Sequence, residues 1–79
     1  MADLRIRDVE NIVKTISNGK AIYTGNVIIN FETEFGKLSF TIPFWDQPTI
    51  DAGVDDALKA FELLAEELKE AAAAERASR

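Results

Sequence analysis

Seventy-nine residues, a formal net charge of −5, no cysteine and no histidine describe one small acidic domain. Disulfides, thiolate metal sites and imidazole, the commonest general base and transition-metal ligand, are thereby excluded. A chain this short buries only about 60% of the surface its unfolded form exposes, so the expected core is thin and calls for close packing or self-association.

The N-terminus, Met1-Ala2-Asp3-Leu4-Arg5, has no apolar run of signal-peptide length. No stretch approaches the ~20 apolar residues of a membrane span, so a cytoplasmic address without a membrane partner is expected. The first segment is ambiguous between two periods. Val9, Ile12, Val13 and Ile16 stand at helical spacing, with Asp8 placed as an N-cap and Gly19 as a stop. The same stretch is dense in β-branched residues, which favour sheets, and Asn18-Gly19 followed by alternating apolars is a hairpin signal. A strand over residues 4–17 is favoured, with a bulge near Arg7-Asp8 to absorb the phase slip between Leu4/Ile6 and Val9.

The next two elements are clear strands. Odd positions from Ala21 to Phe31 are mostly apolar (Tyr23, Val27, Ile29), and even positions from Leu38 to Phe44 repeat the pattern through Phe40 and Ile42. Thr33-Glu34-Phe35-Gly36-Lys37 between them reads as a short hairpin loop, and Gly25-Asn26 as the mark of a bulge. Pro43 lacks an amide donor, which places its strand at a sheet edge or ends it there. After the loop from Trp45 to Thr49, with Thr49 or Asp51 as cap, Val54, Leu58, Phe61, Ala65, Leu68 and Ala72 recur at three- and four-residue steps and predict an amphipathic helix.

The expected architecture is α+β: a three-stranded antiparallel meander over 4–45, a helix over 50–75 and a frayed tail at 76–79, with α-β-β-α as the alternative. The expected core is Val27, Ile29, Phe31, Leu38, Phe40, Ile42, Phe44, Val54, Leu58, Phe61, Leu64 and Leu68.

Residues 1–45 balance five acids against five bases, whereas residues 46–70 hold eight acids and two lysines. The acidity belongs to one element. That disfavours direct nucleic-acid binding, which needs a positive footprint, and favours a basic protein or nucleoprotein partner. Asp51, Asp55, Asp56, Glu62, Glu66, Glu67 and Glu70 are the candidate contact residues. Asp55, Glu62 and Glu66 share one face, with Lys59 between them, and a solvated helix face explains the same pattern.

Catalysis is not expected. Ser17 and Ser39 lie in strand-like segments without a glycine-rich elbow, and the adjacent pairs Asp55/Asp56 and Glu66/Glu67 diverge by about 100° on a helix. The acids from Asp46 to Asp56 lack EF-hand spacing, and the four glycines form no phosphate loop, so no metal or cofactor is expected. Tyr23, Phe31, Phe40 and Phe44 fall on the face assigned to the helix, which makes them core rather than a base-stacking platform. Ile22, Ile28, Phe35 and Trp45 are out of phase with that core. Because one helix covers one sheet face, they are the candidate face for a homodimer or a partner.

The run Gly36-Lys37-Leu38-Ser39-Phe40-Thr41-Ile42-Pro43-Phe44, followed by a short acidic loop and an Ala/Glu-rich helix, resembles small accessory proteins of phages and other mobile elements. In size and acidity the chain is similar to anti-CRISPR proteins. The resemblance spans residues 20–75 in style and transfers no individual residue role. It implies a non-catalytic inhibitor that sets carboxylates where phosphates would sit, in the basic nucleic-acid groove of a CRISPR effector. The alternative is a small self-associating structural or assembly protein of a phage or bacterium.

Overall fold

The computed structural model describes residues 2–79. Three antiparallel strands, β1 (Asp3–Ser17), β2 (Lys20–Thr33) and β3 (Gly36–Gln47), form one sheet in the order β1-β2-β3, and a single helix, α1 (Ile50–Ala77), follows. This is the β-β-β-α arrangement, and the helical alternative for the first segment is set aside.

Local chemistry explains the connections. Asn18 and Gly19 both take positive φ, 51° and 77°, as the tight turn from β1 to β2 requires. The turn from β2 to β3 is closed by Thr33, whose Oγ1 accepts from the Phe35 amide at 3.0 Å and donates to the Gly36 carbonyl at 3.2 Å. Thr49 caps the helix: its Oγ1 accepts from the Ala52 amide at 3.0 Å. At the other end the Ser78 amide donates to Ala74 O at 3.1 Å, so the helix runs through Arg76 and Ala77, two residues beyond the boundary expected from the sequence.

The register of β1 against β2 shifts between Ile6 and Asp8, where the phase slip predicted a bulge. A second irregularity, between Glu10 and Val13, accommodates Asn11 at φ 54°. The register of β2 against β3 shifts between Tyr23 and Gly25. The extra residue is on β3, where Asp46 has φ 55° and its amide donates to Thr24 Oγ1 at 3.2 Å. The bulge inferred at Gly25-Asn26 is thus placed one strand over. Pro43 lies on edge strand β3, which continues past it to Gln47.

Directly paired residues share a face. Leu4, Ile6 and Val9 of β1 therefore stand on the same side as Phe31, Ile29 and Val27 of β2, and as Leu38, Phe40, Ile42 and Phe44 of β3. This is the side that α1 covers, packing on β3 and, less extensively, on β2. The buried core is Val27, Ile29, Ile42, Phe44 and Ala57, bordered by half-buried Val9, Tyr23, Phe40, Val54, Leu58, Phe61 and Leu64. Phe61 meets Phe31 and Phe40 edge-on, with ring centroids 5.8 and 5.2 Å apart.

Three expected core residues lie outside it: Phe31 is half-buried against Phe61 at its margin, and two others are exposed. Leu38 is 53% exposed and Leu68 is 49% exposed. Leu38 lies on the edge strand towards the β2–β3 turn, and Leu68 lies two helical turns beyond Phe61, where packing on the sheet has ended. Ala57, absent from the expected core, is fully buried because a small side chain lets the helix backbone approach β3.

Candidate functional site

The acidic residues of α1 are placed by helical geometry alone. At about 100° per residue, Asp51, Asp55, Glu62 and Glu66 fall within about 60° of arc, and Asp56, Glu67 and Glu70 occupy the adjoining arc. Together they make a band about 160° wide, centred opposite the sheet-facing stripe of buried Gly53 and Ala57 and half-buried Phe61 and Leu64. All seven carboxylates are exposed. Asp55 is ion-paired with Lys59 at 3.2 Å, as the four-residue spacing predicts. None of the other six has an ion-pair partner among the described residues. From Asp51 to Glu70 the band is about 29 Å long at 1.5 Å per residue.

The geometry suits long-range attraction of positive charge. No three acidic side chains converge into a cation-sized cluster among the described residues. Divergent, solvated carboxylates on a convex rod share no enclosed volume in which proton transfer to one substrate could be arranged. Ser17 and Ser39 are both exposed, and the Ser39 hydroxyl donates to Asn30 Oδ1 at 3.3 Å.

A concavity of about 350 Å³ lies at the end of the sheet near the β2–β3 turn and is lined by Asp3, Arg5, Glu32, Lys37 and Leu38 among others. Its charges are internally matched: Arg5 with Asp3 at 3.2 Å, and Lys37 with Glu32 at 3.7 Å. It adds no net field to that of the helix.

The apolar face expected at Ile22, Ile28, Phe35 and Trp45 does not form one patch. Ile22 and Ile28 are half-buried, because side chains from neighbouring strands flank them on the central strand; Asp8 and Thr41 stand on either side of Ile28. Phe35 is 92% exposed at the tip of the β2–β3 turn. Trp45, 63% exposed, sits ten residues away at the opposite end of β3. The larger apolar exposure is elsewhere. Leu4, Ile6, Ile12, Val13 and Ile16 of β1 are all exposed, as are Leu38 and Leu68. The strand β1 is exposed because α1 is offset towards β3, packing on β3 and β2 and leaving β1 largely outside its footprint.

The chain matches no family model, and no curated protein or solved structure matches it. No helix is long and apolar enough to cross a membrane among the described residues.

Proposed function

We propose that this chain is a non-catalytic binding protein that presents the acidic band of α1 to a basic protein or nucleoprotein surface. One observation carries the reading: a single uninterrupted helix displays Asp51, Asp55, Asp56, Glu62, Glu66, Glu67 and Glu70 to solvent on the side away from the sheet. A helix holds its charges at fixed spacing, so little ordering entropy opposes docking. Carboxylates in such a row attract the lysines and arginines that otherwise hold phosphates, and the same field repels nucleic acid itself. In its specific form the reading is an anti-CRISPR inhibitor that competes for the nucleic-acid groove of a CRISPR effector.

The test is competition against labelled target DNA on purified effector complexes. The chain is expected to displace the DNA, with an inhibition constant that weakens as salt rises. Reversing Glu62 and Glu66 together to lysine removes two attractions and adds two repulsions. At about 0.5 kcal/mol for each of these four changes, the loss is about 2 kcal/mol, or about thirty-fold in affinity. Inhibition insensitive to both salt and charge reversal would reject the acidic band as the contact surface.

A further inference from the structure

The isolated chain exposes more surface than a self-sufficient monomer of its size. Its accessible area is 6119 Å². A folded monomer of this length exposes about 4,800 Å², an excess of about 1,300 Å². The radius of gyration is 15.5 Å, against about 12 Å for a compact chain of this length. The excess has two visible sources. β1 lies largely outside the footprint of α1, and the helix continues well past Phe61, the last aromatic that seats on the sheet.

Both regions extend to the same end of the sheet: Phe61 packs on Phe31, whose row holds Leu4 and Leu38, and α1 runs on beyond it. Leu4 and Ile6 stand on the helix side of β1, in rows with Phe31 and Ile29. Leu38 completes the Phe31 row on β3, and Leu68 continues the sheet-facing stripe of α1 beyond Leu64. All four are exposed. Charge distinguishes the same regions from the rest. Residues 3–17 carry three acids and three bases, and residues 68–79 carry two acids and three bases. Residues 51–67 hold six acids and one lysine.

We propose that this chain is a homodimer whose interface is the helix-side face of β1 together with Leu38 and the sheet-facing stripe of α1 from Leu68 onward. The area argues for a second copy. An excess of about 1,300 Å² on each subunit sums to about 2,600 Å², within the range of obligate homodimers and above that of transient contacts. A two-fold interface through electroneutral segments keeps both acidic bands outward and avoids opposing them. Pairing through the bare edge of β1 is disfavoured by its two irregularities, which interrupt the ladder a second strand would need. The acidic bands remain free, so each dimer carries two of them.

The experiment is sedimentation equilibrium on the purified full chain, with thermal melts over the same dilution series. A mass twice that of the chain is expected, with a melting temperature that rises with protein concentration, as linkage requires. Leu68→Glu, placed beyond the packed core, is expected to halve the mass while retaining helical circular dichroism. Ile6→Glu is expected to do the same, whereas Leu63→Glu, on the acidic side of α1, leaves the dimer intact. A single-chain mass at every concentration with a concentration-independent melt overturns the proposal. A dimer unaffected by both Leu68→Glu and Ile6→Glu overturns the assigned interface. Neither readout involves a basic partner, so both stand apart from the fate of the acidic-band reading.

Discussion

The ring of Phe44 is fully buried between the sheet and the helix. It is held between two glycines. A methyl group at Gly25 would lie 3.2 Å from the ring, and one at Gly53 would overlap it outright. Gly53 interrupts an otherwise regular helix, where glycine costs about 1 kcal/mol relative to alanine. The direct seating of Phe44 on the helix backbone offsets that cost. Gly53→Ala is therefore expected to lower stability by about 1–3 kcal/mol through overpacking, despite the better helix propensity of alanine. Urea denaturation reads this as a lower midpoint at unchanged slope, and a raised midpoint would show that Phe44 does not seat there. Thr49→Ala, which removes the side-chain cap at that helix end, is expected to cost about 1 kcal/mol in the same assay. Thr49 was recognisable in the sequence as one of two candidate caps. Gly53 and Ala57 were not recognisable as core, because a reading built on large apolar side chains passes over the small residues that permit close approach.

At the scale of elements, the two hairpins differ in what they demand of glycine. Gly19 has φ 77°, close to the left-handed helical region that other residues enter at moderate cost. Gly36 has φ 138°, a region occupied almost solely by glycine. Gly36→Ala is expected to destabilise the protein by about 2 kcal/mol and Gly19→Ala by about 1 kcal/mol. Equal losses in parallel thermal melts would contradict the assigned turn geometries. These turns, the alternation of β2 and β3 and the three- and four-residue rhythm of α1 were legible because each is a local signal. The first strand was legible only in part. Its bulge near Arg7-Asp8 followed from the phase of Leu4, Ile6 and Val9, whereas the irregularity at Asn11-Ile12 showed only as the spacing of Val9, Ile12, Val13 and Ile16, which reads equally as a helical period. Leu38 and Leu68 have the correct phase for burial but lie beyond the reach of the packing, and periodicity carries no information about where a partner element ends.

At the scale of the molecule, the division of labour is by charge. The sheet is close to neutral and carries the apolar contacts; the helix concentrates the acids on its far side. The band was visible in the sequence as seven of the eight acids within residues 46–70, and the structure adds that these seven face away from the core while Asp46 lies in β3. An outward band with one internal ion pair contributes little to folding, since exposed pairs are worth about 0–1 kcal/mol and unpaired like charges repel. Replacing Glu62 and Glu66 by lysine changes the net charge from −5 to −1. It should leave the unfolding free energy within about 0.5 kcal/mol of the parent or raise it slightly. For the same reason, added sodium chloride should raise the melting temperature, because screening weakens repulsion along α1 more than it weakens four exposed pairs. A melting temperature that falls with salt, or a double reversal that unfolds the chain, would mean that the carboxylates hold the fold together. A double reversal that melts like the parent yet no longer competes with DNA for the effector would assign the acidic band to recognition.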